Sequence, residues 1–473
     1  MKQYPLYLNG ELTTTETGKD VINPATGEAF ARISTTDRAG LTQALRDAHA
    51  AFPGWRKLTG KARGAYLHRV ADLLEMRREE IARLITMENG KPLAQSLGEV
   101  AMSADHLHWF AEEARRSYGR IVPNQVDGKR HLVIKTPMGV VGAISPWNFP
   151  LVLAVRKVAP ALAAGNTVVL KPATQTPLCA AALAECVAEA EIPKGVFQLV
   201  VGPSAEFGQE MLENPLCRKI TFTGSTEVGR VLIAGAARTV KPLSLELGGH
   251  APVLVFDDAD LHTAVEGAMI AKFRNTGQSC IAANRVYVQR GIYDDFLAAF
   301  AEKTAALKVG NGLEAGVEIG PLIDEAGIQK ALEHIENAVQ QGARVVCGGH
   351  RLDRAGFFLA PTVLADVPAQ ALCMSEETFA PLAPITVFDH EDEAIEMANN
   401  SIYGLSAYAF TTNLSRAFRV MEHLEAGTIG INVGVPTTSQ CPFGGAKQSG
   451  WGRELGIEGM DAFLETKHVS LGV

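Results

Sequence analysis

Cysteine is scarce and scattered in this chain: seven in 473 residues, with no Cys-x-x-Cys pair anywhere. That spacing excludes a zinc ribbon and a thioredoxin-type redox couple. Lysine and arginine form no block, and the formal net charge is -8, which argues against nucleic acid or an anionic membrane as a partner. The longest apolar stretch, Val140 to Ala164, is interrupted by Arg156, Lys157 and three prolines, so it does not read as a spanning helix. The first ten residues lack the apolar core of a signal peptide. An odd number of thiols without an export signal implies a reducing, cytoplasm-like compartment. No internal repeat or low-complexity tract marks a flexible linker.

What is present is a regular alternation. The length fits about three domains. Residues from about Thr59 to Asn89 and from Gln95 to Tyr118 place Leu, Ile, Ala and Met on one side, the pattern of long amphipathic helices. The elements then shorten. A strand is expected over 167–171, a helix over 178–190, a strand over 197–201, a helix over 204–213, a strand over 219–223 and a helix from Thr226. That rhythm belongs to βαβ units on a parallel sheet. A second α/β rhythm runs from near Gly248 past Ile431. Two strand-like pieces, 130–135 and 460–471, fit neither.

The run Gly224-Ser225-Thr226-Glu227-Val228-Gly229 follows a strand and opens a helix. Glycines there let backbone approach a pyrophosphate at a helix N-terminus. The Gly-x-Gly-x-x-Gly fingerprint is missing at this place, so an ordinary turn is the competing reading. Three side chains carry the chemistry: Asn148 in Pro146-Trp147-Asn148-Phe149-Pro150, Glu246 in Glu246-Leu247-Gly248-Gly249, and Cys280 after Gly277-Gln278-Ser279. A thiol, a carboxylate and an amide supply a nucleophile, a base for water and a donor for an oxyanion. Cys179, Cys186, Cys217, Cys347, Cys373 and Cys441 are expected to be buried small hydrophobes. Cys280 differs because Gly277 and polar neighbours suggest a turn that faces a cleft. For its thiolate to form near neutral pH, its pKa must fall below the free value of about 8.5, which backbone N–H groups can achieve.

From Asn23-Pro24-Ala25-Thr26-Gly27 to Pro442-Phe443-Gly444-Gly445-Ala446-Lys447-Gln448-Ser449-Gly450, the chain resembles the aldehyde dehydrogenase superfamily over almost its whole length. The resemblance implies an α/β fold with a Rossmann-type cofactor domain (residues 1–119 and 138–247) and an α/β catalytic domain (248–455). A small β oligomerisation element (120–137 and 456–473) would extend a neighbouring subunit's sheet in a homodimer or homotetramer. It implies NADP or NAD as cofactor and no metal. The cofactor residues it implies are Pro146, Trp147, Lys171, Thr174, Gly224, Ser225, Gly229, Leu247, Glu377 and Phe379. Lys171 would reach the adenosine ribose, and Glu377 and Phe379 the nicotinamide ribose and ring. Ala380 departs from the glycine usual in that loop. Thr174 stands where many NAD-preferring relatives carry a glutamate that would repel a 2′-phosphate, so NADP is expected to be favoured with NAD also used.

The implied substrate is a small aldehyde. Cys280 adds to it, the Asn148 amide and the Cys280 N–H hold the oxyanion, a hydride leaves, and Glu246 activates water against the thioester. Within the superfamily the chain is most similar to succinate-semialdehyde dehydrogenases, in which residues matching Arg156, Arg274 and Thr437 grip the distal carboxylate. Glutarate or 2-oxoglutarate semialdehyde suits the same charges, and a broad-range aldehyde dehydrogenase is a further alternative. The bland reading puts Arg156 exposed on a helix and Arg274 in a buried ion pair. An acylating, coenzyme A-dependent enzyme would not need Glu246, and a catalytically silent protein would not need the triplet.

Overall fold

In the computed structural model, which describes residues 1–473, five strands separated by helices align in parallel. Their order is Phe197–Leu199, Thr167–Lys171, Val140–Ile144, Cys217–Thr223, Leu243–Glu246. The chain thus starts at the centre of the sheet, winds to one side, and returns to wind to the other. Short antiparallel strands close both ends, Leu6–Leu8 and Glu11–Thr13 at one and Gly450–Trp451 at the other. The winding reverses between Val140–Ile144 and Cys217–Thr223. In open α/β sheets a ligand crevice forms at the carboxyl ends of the strands at that point. Ile144 leads directly into Pro146-Trp147-Asn148, and Thr223 into Gly224-Ser225.

Behind the crevice lies the helix Val152–Ala164, every residue of which is buried. Its apolar run explains the hydrophobic stretch noted in the sequence, and the preceding strand Val140–Ile144 supplies the rest. Burying Arg156 and Lys157 in it carries a heavy desolvation cost unless each finds a partner. A second, seven-stranded sheet runs Arg344–Cys347, Thr362–Ala365, Leu382–Phe388, Ala283–Gln289, Ala251–Val255, Ser406–Phe410, Thr428–Ile431. It is parallel except for its first strand. Arg120–Val122, Lys129–Pro137 and Leu464–Gly472 make a separate antiparallel ribbon, in which Leu464 to Gly472 pair residue for residue with Pro137 to Lys129. No helix is long and apolar enough to cross a membrane.

Several expectations need correction. The single helix expected from Thr59 to Asn89 is two, Gly60–Met76 and Arg78–Asn89, broken at Arg77 (φ -98°, ψ 16°). The apolar period continues across the break, through Leu73 and Leu74 to Ile81 and Ile85, so the pattern could not reveal it. The bend brings Glu88 beneath the helix Leu178–Glu189, where it accepts from the N–H groups of Leu178 and Cys179 at 2.7 and 2.9 Å. The next helix spans Leu93–Glu113 and stops short of Tyr118, which is exposed. Met460 lies in a short helix, Gly456–Asp461, and the last strand begins only at Leu464. Cys179, Cys186, Cys217 and Cys373 are buried as expected, but Cys347 is half-buried and Cys441 is exposed. Cys441 sits in a turn between Thr438 and Pro442, outside any sheet or helix that could cover it.

Candidate active site

Three sequence motifs meet because glycine permits close backbone approach. Residues 275–277 are all left-handed, with φ of 52° at Asn275, 59° at Thr276 and 75° at Gly277. A Cβ on Gly277 would fall 2.2 Å from the Ala380 carbonyl oxygen, and one on Gly249 only 2.0 Å from that of Cys280. Left-handed backbone at non-glycine residues costs about 1–3 kcal/mol each. Side-chain bonds offset it: Asn275 Nδ2 donates to the carbonyls of Asn148 (2.8 Å) and Gln278 (3.0 Å), and Thr276 Oγ1 donates to Gly320 O at 3.2 Å. The resulting turn aims Cys280 into a cleft, as the glycine before it suggested.

Cys280 lines two cavities at once. One, of about 220 Å³, opens at the sheet's switch point and is walled by Pro146, Trp147, Asn148, Gly224, Ser225, Leu247, Glu377 and Phe379. The Trp147 and Phe379 rings meet edge-on at 5.4 Å. Glu377 is fixed by the Gly249 N–H at 3.0 Å, and burial pushes its carboxyl up to about 7. Ala380 fits without strain, because the left-handed turn of that loop falls on Phe379 (φ 58°) instead. Lys171 and Thr174 lie one strand further along the sheet edge rather than in this cavity's wall. Lys171 is buried and donates to Ser204 Oγ at 2.7 Å. Gly229 also lies off the wall, under Leu247, where a Cβ would sit 2.6 Å from the leucine methyls. A dinucleotide fits this frame. The helix Thr226–Ala236 has a first turn whose N–H groups could hold a pyrophosphate, and Glu377 adds a carboxyl to the cavity wall.

The second cavity, about 30 Å³, lies on the other side of the thiol and is lined by Phe149, Arg156, Arg274, Thr437 and Phe443. Arg156 is buried on its helix, not exposed. Its guanidinium stacks on Phe443 at 4.9 Å and its Nε has no hydrogen-bond partner. Arg274 stacks on Phe149 at 5.0 Å and is in no ion pair. Desolvation lowers the pKa of both. The neighbouring Lys157 does find its partner, Glu454, at 2.5 Å. A larger cavity of about 710 Å³ shares Met102 and Arg274 with the inner one.

Glu246 is buried where its strand meets Gly450, with Oε2 unpaired. A Cβ on Gly444 would crowd its Oε1 at 2.7 Å. Burial, reinforced by Glu454, holds its carboxyl well above the usual range, while Lys157, Arg453 and Arg156 pull the other way. Asn148 is buried, and its Nδ2 donates to Gln278 O at 3.2 Å. Cys280 departs from the low pKa its reactivity suggested: burial pushes the thiol up to about 12, against the pull of Arg156.

The aldehyde dehydrogenase family model matches residues 12–469. The chain belongs to the aldehyde dehydrogenase family. Glutarate-semialdehyde dehydrogenase of Pseudomonas aeruginosa is 50% identical over 98% of this chain and 97% of its own length. The NADP(+) succinate-semialdehyde dehydrogenase GabD of Escherichia coli K12 is 48% identical, with 98% and 97% covered. The crystal structure of succinate-semialdehyde dehydrogenase from Burkholderia pseudomallei superposes with a TM-score of 0.98 at 44% identity, over 99% of this chain and 98% of that one. The chain is therefore an NAD(P)-dependent enzyme that oxidises small-molecule aldehydes. As an aldehyde dehydrogenase it has a site richer than the sequence disclosed. Lys157 was visible only as a neighbour of Arg156, and Glu454 carried no motif signal at all.

Proposed function

We propose that this aldehyde dehydrogenase oxidises succinate semialdehyde to succinate, with NADP preferred. The observation that carries the substrate reading is the pair of buried guanidinium groups, Arg156 and Arg274, without a carboxylate partner on the far side of Cys280. A substrate carboxylate is the charge that would complete them. Glutarate semialdehyde carries the same charge one methylene further on, and the similarity to the Pseudomonas enzyme favours it as the second reading. The tight inner cavity favours the shorter chain.

Cys280 gives its proton to water in the cleft and adds as the thiolate to the aldehyde carbon, giving a thiohemiacetal whose oxyanion faces the Asn148 amide and the Cys280 N–H. NAD(P), which the cavity walled by Trp147, Ser225, Glu377 and Phe379 would hold, would supply the hydride acceptor, so that collapse of the oxyanion leaves a thioester on Cys280. Glu246 then takes a proton from water, the hydroxyl attacks the thioester, and Cys280 leaves as the acid is released. The two cavities separate these roles, because substrate reaches the thiol from the arginine side and cofactor from the Trp147 side. The arrangement is consistent with a cofactor domain over 1–119 and 138–247 and a catalytic domain over 248–455. The remaining ribbon exposes Ile121, Ile134 and Leu471, which supports its use as an oligomerisation element in a homodimer or homotetramer. Seven unpaired thiols suit a cytoplasmic location.

Arg156→Ala should raise KM for succinate semialdehyde far more than for butyraldehyde, which has the same carbon count without the charge. Losing one charge-assisted hydrogen bond costs about 1.5–3 kcal/mol, roughly ten- to a hundredfold. Thr437→Ala should act in the same direction more weakly, its hydroxyl being neutral. Steady-state kinetics on both aldehydes check this, and an equal loss on both would make Arg156 structural. For the cofactor, Thr174→Glu should weaken NADP much more than NAD, because the new carboxylate meets the 2′-phosphate. Fluorescence titration with each cofactor decides, and equal weakening would place Thr174 away from the 2′ position.

A further inference from the structure

We infer that the buried pair Lys91 and Glu99 is a positioning device for catalysis, clamping both sides of the Asn148-Phe149-Pro150 turn so that the oxyanion donor is held ready. The proposal rests on the role given above to Asn148. Lys91 Nζ and Glu99 Oε2 lie 2.6 Å apart, and both side chains are wholly buried. A buried ion pair is a poor way to stabilise a fold, since apolar replacements of similar size often do as well. What distinguishes this pair is where its remaining bonds go. Lys91 Nζ donates to the Asn148 carbonyl at 2.8 Å and sits 3.9 Å from the Phe149 ring centroid. Glu99 Oε1 accepts from the N–H groups of Leu151 and Val152 at 2.9 and 3.2 Å.

Those two N–H groups open the helix Val152–Ala164, which has no side-chain cap of its own. Glu99 thus caps, from a different helix, the element that carries Arg156 one turn further on. Lys91 holds the residue on the other side of Pro150. The Asn148 carbonyl is further gripped by Asn275 at 2.8 Å and Asn89 at 3.3 Å, so its backbone is tied to the turn that presents Cys280. The Asn148 side chain itself makes one long bond, to Gln278 O at 3.2 Å. Its aim is therefore set through its backbone. Misplacing a donor by about 1 Å is enough to cost rate even when every reacting group remains.

The test compares Lys91→Met and the charge-neutral double variant Lys91→Met/Glu99→Gln with wild type, each also built on Asn148→Ala. Rates are expressed per reactive Cys280 thiol, and melting temperature is recorded alongside. The expected result is a loss of kcat of roughly ten- to a hundredfold in both variants. It should be equal for succinate semialdehyde and butyraldehyde, with KM changed by less than about threefold. On Asn148→Ala the same changes should cost less than about twofold, because the donor they position is gone. Losses that multiply with Asn148→Ala overturn the proposal, as does a loss confined to the charged aldehyde. Wild-type kcat per thiol with a lowered melting temperature overturns it as well, and so does failure of both variants to fold, since each marks a structural pair. Wild-type turnover in Asn148→Ala alone would remove the oxyanion assignment itself.

Discussion

Cys280→Ala abolishes aldehyde oxidation, with kcat falling by about 10⁴-fold or more, the scale for losing a covalent nucleophile. No other thiol can substitute: the remaining six lie elsewhere in the fold, four of them buried, and only Cys280 lines both cavities. Cofactor binding stays within about twofold of wild type, because the walls around Trp147, Ser225, Glu377 and Phe379 are untouched and alanine removes only the sulfur. Stopped-flow absorbance for reduced cofactor and fluorescence titration for binding check the two halves independently. Removing the sulfur of a half-buried side chain that faces a cleft leaves the fold intact, so lost binding in this variant would contradict the placement of Cys280 at the junction. Residual turnover at wild-type rates would remove it from the chemistry.

Glu246→Gln separates the two halves of the cycle. The first hydride transfer needs Cys280 and Asn148, so one equivalent of reduced cofactor per subunit should still form. Steady turnover should drop by about 10²-fold or more, the usual size for a lost general base. The pH dependence has a definite sign. In the proposed role Glu246 takes a proton from water only when ionised, and burial beside Glu454 raises its pKa well above the ordinary carboxylate value. Wild-type deacylation therefore rises as pH climbs through that raised value and is lost below it. Glutamine has nothing to titrate, so the residual rate of the variant is flat across the same limb. Stability moves the opposite way: a carboxyl with a raised folded-state pKa favours the fold at low pH and loses that contribution as pH rises through it. Glu246→Gln should accordingly hold its melting temperature to higher pH than wild type. Full steady-state turnover with no burst would refute the assignment.

The alternation of short apolar strands with helices was legible because both faces of a parallel sheet are covered, so each strand reads as an unbroken hydrophobic run. Asn148, Glu246 and Cys280 could be picked out as candidates for a different reason: each sits in or beside a run rich in glycine or proline. The break at Arg77 was not, since a one-residue change of torsion leaves the apolar period undisturbed. Nor were the strands Lys2–Tyr4, Gly18–Asn23 and Glu28–Ser34, which form a small sheet of their own and mix charged with apolar residues too freely for a period-two signal. Lys91, Glu99 and Glu454 escaped notice because an ordinary charged residue in a helix or loop looks solvated until tertiary packing buries it. Thr174 and Lys171 show the opposite limit. Their family positions could be recognised, but the strand order alone sets them one strand away from the thiol's cavity.

Gly450 and Trp451 form the edge strand beside Glu246, and the nearby Glu454 pairs with Lys157, so the centre draws on residues made long after Glu246 and Cys280. During synthesis Cys280 and Glu246 leave the ribosome well before the segment that encloses them. The long sequence separation makes this closure a late, slow folding event. A nascent chain, or one cut before Phe443, therefore has Cys280 and the five-stranded parallel sheet but lacks the segment that encloses Glu246. Activity recovered during refolding should lag behind the return of secondary structure, and should be abolished in chains ending before Phe443.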